Sequence, residues 1–344
     1  MIIKSFEELA DMSVYVGNKP DIVQSGGGNT SVKMDNGLMA IKASGCKLGE
    51  MTPKRGFVVV NHKAILNYFE KVDLNTSTDY EQDIVDFVSK NIVDTEGIEK
   101  MRPSVEAPFH SFLQKYVIHT HSVYANVLCC SLEGKKIAEE IFGEDNFVWI
   151  PYVNPGFFLS MKIRQAYINH VNKYEKEPKI FFMQNHGLIV TDSSADKCKN
   201  LNDIVNKKIV DYLHLSFPYP IPGIEKISEN KYKSTGLIVR SLFNKSIANY
   251  EYLDKNGLYP DQLVYINKIF AQNEEKIVFD ENDNVIYNAP FKEATGIEDT
   301  LSAYLYVVDS IRKLNLNLSV LDEKQKSFIY GWEIEKYRLT QLNK

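Results

Sequence analysis

The stretch SGGGNTSVK, residues 25–33, sets three consecutive glycines before a polar run that continues as an alternating, strand-like sequence. Glycine loses more backbone freedom on folding than any other residue. A glycine run is therefore kept where the chain needs positive φ, or where something must approach the backbone closely. The residues after the glycines separate the folds that use such loops. A Walker A loop needs Gly-Lys-Ser/Thr next, and none is present. A dinucleotide fingerprint counted from Gly26 would place its third glycine at Ser31, and it should open a helix; here a strand comes next. Two readings remain for the loop. It is a tight connection between a helix and a hairpin, or its amides form an anion-binding nest with Asn29, Thr30 and Ser31 as added donors.

On the N-terminal side of the loop, MIIKSFEELADMSVYVG reads as an amphipathic helix. On the other side, TSVKMDNGLMAIKAS reads as a β-hairpin turning at Asp35-Asn36-Gly37. GFVVVN is a strand, and HKAILNYFEK and DYEQDIVDFVSKNI are helices. PSVEAPFHSFLQ is a short helix leading into the strand YVIHTHS. Helices at VYANVLCC and GKKIAEEIFG precede the strand FVWIPY and a turn at Pro155-Gly156. A long helix through MKIRQAYINHVNKY comes next. KIFFMQNHGLIVTD then reads as two strands broken at Asn185-His186-Gly187, and ADKCKNLNDIVNKKIVDYLHL as a helix. SFPYPIPGIEK, with three prolines and a glycine, is the natural linker. It divides residues 1–215 from a region 216–344, where a hairpin, KIVFDENDNVIYNA, and two terminal amphipathic helices stand out.

The bulk properties narrow the function. A chain of 344 residues with 44% hydrophobic and 25% charged side chains is an ordinary globular composition. A net charge of -5 with interleaved signs gives no basic tract for nucleic acid. No apolar run approaches a membrane span, and the first residues lack the pattern of a secretory signal. Four cysteines without a CxxC fit reduced structural thiols in a cytoplasm, not a disulfide framework.

The chemistry-bearing residues are few. His119 and His121 are two apart in a strand and so share a face, supplying two neutral nitrogen ligands from a rigid element. An HxH pair is equally an ordinary polar strand pair. His186 lies in the turn between two apolar strands, where functional side chains concentrate. Glu106 precedes the His119 strand by one short helix, and His110 lies one helical turn further on. A second small polar turn, Ser44-Gly45, comes after the hairpin and would complete an anion pocket.

Taken in order, GGGNTS, ASG, PSVEAPFH, HTH, IPYVNPG and NHGLIV resemble the class II aldolase/adducin family over roughly residues 1–215. That resemblance implies an α/β fold. It would be a three-layer α/β/α domain on a mainly antiparallel central sheet, with residues 216–344 as a smaller α/β region acting as lid or interface. It also implies zinc, or another divalent ion, on His119, His121 and His186, and a substrate phosphate near Gly28, Asn29, Ser44, Gly45 and Ser104. Glu106 falls where the family's aldolases carry their proton-transferring glutamate; its epimerases carry a metal-holding aspartate there. Adducins lack the metal histidines, and all three are present here. Two departures stand out: Val105 replaces a second phosphate-contacting serine, and the Glu106–His119 spacing is shorter than in fuculose-phosphate aldolases.

The expected protein is a cytoplasmic, zinc-dependent lyase acting on a ketose 1-phosphate, releasing dihydroxyacetone phosphate and a small aldehyde. Resemblance makes it a homo-oligomer, a tetramer in most of the family. The rivals are a same-fold epimerase, dehydratase or decarboxylase, and a non-catalytic sugar-phosphate binding protein. No single lysine stands out for Schiff-base chemistry.

Overall fold

In the computed structural model, which describes residues 2–331, the glycine loop joins α1 (Ile2–Gly17) to the hairpin β1 (Asn29–Lys33) and β2 (Leu38–Lys42). Next are β3 (Phe57–Asn61), α2 (His62–Lys71), α3 (Tyr80–Lys90), α4 (Ala107–Phe112) and β4 (Tyr116–Thr120). Then come α5 (Val123–Cys129), α6 (Gly134–Phe142), β5 (Val148–Ile150), α7 (Phe157–Tyr174), β6 (Ile180–Met183), β7 (Gly187–Asp192) and α8 (Ala195–Leu213). The seven strands form one mixed sheet in the order β3-β2-β1-β4-β7-β6-β5. Its β5–β6 pair is parallel and its other pairs are antiparallel.

Alternation along the strands gives the sheet two faces. Val32, Ala40, Phe57, Val59, Ile118, Phe182, Leu188 and Val190 join the core beneath α1, α5 and α8. Met39, Ile41, Val58, Val60, Val117, Phe181 and Ile189 point the other way, to α2, α3, α4 and α7. Each fully buried aliphatic side chain contributes about 1.5–3 kcal/mol.

Two helix starts differ from the sequence expectation for local reasons. The helix expected over residues 103–114 begins only at Ala107. The Ser104 hydroxyl accepts the Glu106 amide at 3.2 Å, holding Ser104–Glu106 in a turn, and Pro108 suits the first helical turn. Helix α7 starts at Phe157, ahead of the expected MKIRQ run. Its first amides, Phe157 and Phe158, donate to the Glu81 carboxylate of α3 at 2.6 and 3.3 Å.

The remaining described residues build a second, antiparallel sheet, ordered β10-β11-β9-β8. Its elements are β8 (Ile224–Ser228), β9 (Lys231–Ser234), α9 (Leu237–Leu242), α10 (Tyr250–Lys255) and α11 (Pro260–Gln262). A π-helical turn (Leu263–Asn267), α12 (Lys268–Ala271), β10 (Ile277–Phe279), β11 (Val285–Asn288), α13 (Phe291–Lys313) and α14 (Glu323–Gly331) complete them. The expected terminal helix pair is α13 and α14; residues 332–344 lie outside the described ones. Every residue of α5 is buried, Asn126 included, as in a helix covered on both sides. One side lies against the first sheet and the other against α13, whose Leu301, Tyr304, Leu305 and Val308 share a core with Val123, Tyr124, Val127 and Leu128. Among the described residues no helix is long and apolar enough to cross a membrane.

Candidate metal centre

The site grows from strand parity. Tyr116 and Ile118 of β4 point into the α1/α5/α8 core, so Val117 and His119 face the other side. Asn29 of β1 stands opposite His119 in register, and His119 stands opposite Ile189 of β7. His121 lies just past the end of β4. His186 occupies the β6–β7 turn, which its neighbour Asn185 enters at φ +53°. The ligand atoms of His119, His121 and His186 lie within 4.8 Å of one another, and all three side chains are buried. Glu106, at the N-cap of α4, brings Oε1 to 3.4 Å from His119 Nε2 and 3.5 Å from His186 Nε2.

The hydrogen bonds decide which nitrogens face inward. His119 Nδ1 donates to the Leu188 carbonyl at 3.0 Å, and His121 Nδ1 donates to Asp261 Oδ2 at 2.5 Å. Protons placed on both Nδ1 atoms leave lone pairs on both Nε2 atoms, which are 3.1 Å apart. Two acceptors at that distance, with a carboxylate oxygen beside them, repel unless a cation lies between them. Nitrogens bound at 2.0–2.1 Å to one tetrahedral zinc would be about 3.3–3.4 Å apart. The donor set therefore fits a divalent ion. Burial pushes His186 down to about 4, which keeps that imidazole neutral as a ligand must be. Burial pushes the Glu106 carboxyl up; positive charge at the His119 and His186 imidazoles would outweigh it and pull the group well below the usual carboxylate range, and with those imidazoles neutral a bound cation would supply that charge.

The glycine loop packs against this centre. Gly28 takes φ +67°, and a Cβ there would meet the His119 carbonyl oxygen at 2.8 Å. Of the three added donors expected beside the glycines, only Asn29 faces the site. Thr30 shares a 2.7 Å hydrogen bond with Ser13 of α1, and Ser31 pairs with His110 Nδ1 at 2.8 Å. Strand alternation sends Thr30 to the opposite face, and Ser31 is consumed structurally, which also accounts for His110. Asn29 Nδ2 donates to Ser104 Oγ at 2.6 Å and to Glu106 Oε2 at 3.3 Å. Ser44 and Ser104 line one pocket with Arg102 and Val105, walled by Ile84, Val85 and Val88 of α3. Asn29, Ser44 and Ser104 thus stand close together; Gly28 touches the metal-facing strand, and Gly45 turns the chain at φ +80° after Ser44.

Three further residues belong to this neighbourhood. Arg102, a cation two positions before Ser104, carried a local signal. Asp261 is 140 positions from His121, and nothing in its surroundings marks it. Asn185, at the start of the NHGLIV stretch, ties that turn to the C-terminal region by donating to the Leu258 and Ser319 carbonyls at 2.8 and 2.6 Å.

Residues 7–208 match the family model described as Class II Aldolase and Adducin N-terminal domain. The uncharacterized oxidoreductase YuxG of Bacillus subtilis (strain 168) is 31% identical over 206 residues, which are 57% of this chain and 27% of that protein. The chain thus spans about a quarter of the length of the curated relative it matches. Among solved structures, the N-terminal class II aldolase domain of a conserved Thermoplasma acidophilum protein is 27% identical, with TM-score 0.49. That match covers 60% of this chain and 92% of that one. An L-fuculose 1-phosphate aldolase from Glaciozyma antarctica PI12 is 13% identical, with TM-score 0.41, covering 62% and 73%.

Proposed function

The chain belongs to the class II aldolase and adducin family, and from that premise we propose that it is a zinc-dependent aldolase acting on a ketose 1-phosphate, with dihydroxyacetone phosphate as one product and a small aldehyde as the other. The observation that carries the reading is the convergence of two imidazole lone pairs and the Glu106 carboxylate on one buried point. His119, His121 and His186 would hold the ion, which when bound supplies Lewis-acid polarisation of the substrate carbonyl. Ser44 and Ser104, with Gly28 and Gly45 shaping the loops, would take the phosphate; Asn29 would act there by donating to Ser104 Oγ, which leaves the Ser104 hydroxyl hydrogen for the anion. Arg102 at the same pocket adds a positive charge. Glu106 takes the proton from the carbon beside the carbonyl in condensation and returns it in cleavage. Asn29 holds both the phosphate-side serine and Glu106, so it sets the distance between the two ends of the substrate. The homo-oligomer, a tetramer by resemblance, is part of this proposal.

A second reading has its own support. Glu106 Oε1 stands at 3.4 and 3.5 Å from two imidazole nitrogens, the separation a fourth tetrahedral ligand would take. One experiment separates the two. Wild type and Glu106→Gln are assayed for metal content and for exchange of the dihydroxyacetone phosphate proton with deuterated water. A proton carrier keeps its ion and loses exchange by roughly 10²–10⁴-fold. A ligand loses the ion. Wild type that carries no divalent ion, with activity indifferent to EDTA, sinks the whole proposal.

A further inference from the structure

The carboxylate on His121 comes from outside the stretch that defines the family: Asp261 is the second residue of α11, well beyond residue 208. It is buried, as is His121. The element that carries it is held in place by its own polar network. Gln262 Oε1 accepts the Leu258 amide at 2.8 Å, and Gln262 Nε2 donates to the Leu253 carbonyl at 3.2 Å and to Asn267 Oδ1 at 3.1 Å. The glycine loop closes the third side. A Cβ on Gly27 would lie 2.7 Å from His121 Nδ1 and 2.8 Å from Asp261 Oδ2, so only bare backbone fits against the pair. The same junction reaches the turn carrying His186, because the Leu258 carbonyl accepts from Asn185.

We propose that Asp261 is a positioning residue for metal binding: it fixes the tautomer and ring orientation of His121, so that the C-terminal region is part of the metal site. The inference rests on reading the three histidines as metal ligands. An imidazole whose Nδ1–H is held by a carboxylate presents Nε2 alone, in one direction, with raised basicity. Losing such a partner costs 10–100-fold in metal affinity. Asn at position 261 keeps an acceptor oxygen for Nδ1–H and loses the charge; Ala loses both.

The test is a zinc competition titration against a chromophoric chelator. It uses metal-free full-length wild type, Asp261→Asn and Asp261→Ala, with the visible spectrum of each cobalt-substituted protein and the melting temperature of each metal-free protein. Expected are a roughly 10–100-fold weaker affinity in Asp261→Ala, a smaller loss in Asp261→Asn, and altered cobalt spectra in both. Melting of the metal-free Asp261→Asn protein should stay near wild type. Wild-type affinity and spectrum in both variants overturn the inference. So does a loss of affinity in Asp261→Asn that only tracks a lowered metal-free melting temperature with an unchanged spectrum, since that is a general packing defect. If wild type itself binds no zinc or cobalt, the metal reading falls first.

Discussion

Asn29 does two jobs with one amide, and its position shows why. As the first residue of β1 it faces His119 across the ladder, and its Nδ2 reaches both Ser104 and Glu106. Asn29→Ala leaves a buried hydroxyl and a buried carboxylate short of a donor, at about 1–3 kcal/mol. We expect the KM for a phosphorylated ketose to rise about tenfold and proton exchange to slow in the same variant. Steady-state kinetics and deuterium exchange check both. A rise in KM alone would assign Asn29 to the phosphate and leave Glu106 positioned by the imidazoles. At this scale the sequence was most legible for side chains whose neighbours in the chain are also their neighbours in space. The HxH pair is of that kind. It was least legible where one residue chooses between two faces: Thr30 and Ser31 look like site donors until parity turns one to the core and His110 takes the other.

The β6–β7 turn is the element on which the centre hinges. Its strands are written in continuous apolar runs, as strands covered on both faces are, and Asn185 supplies the left-handed residue that asparagine tolerates better than most. Its side chain then crosses to the C-terminal region, donating to Leu258 and Ser319 carbonyls, while Ser319 Oγ donates back to its Oδ1 at 2.9 Å. Asn185→Ala should lose about 2–4 kcal/mol, combining unpaired buried carbonyls with a strained backbone. Asn185→Gly restores the conformation but not the bonds, so denaturant unfolding should place it between wild type and alanine. Equal stabilities for the glycine variant and wild type would show that the cross-region bonds contribute nothing. Element positions in the first half were readable from periodicity. Helix starts were not: Ser104 and Glu81 decide those by side-chain hydrogen bonds.

For the whole molecule, the linker composition near residue 216 suggests two parts, yet α5 and α13 share one core. Backbone bonds add to it: Leu132 N donates to the Asn317 carbonyl and Ser319 N to that of Cys130, at 2.9 and 2.8 Å. A chain ending at Leu215 would expose the buried face of α5, including Tyr124 and Leu128. We expect it to be insoluble, or soluble only as an expanded state that binds apolar dyes and holds no zinc. A soluble fragment that unfolds cooperatively with wild-type zinc affinity would show that the first 215 residues fold alone and that Asp261 is dispensable.

Read without coordinates, the chain already specifies its family, the three imidazoles and the carboxylate that approach one another, and the strand–turn frame that carries them. These depend on periodicities of two and 3.6 residues and on short ordered motifs, which are local and survive without knowledge of the rest of the chain. Packing in three dimensions settles the rest: which polar side chains of the glycine loop stay beside the imidazoles, which nitrogen each imidazole turns inward, and that Asp261 reaches across 140 positions to hold one of them. Those outcomes stem from burial. A polar atom removed from water must find a partner, and the partner is whichever group packing brings within about 3 Å, at any distance along the chain.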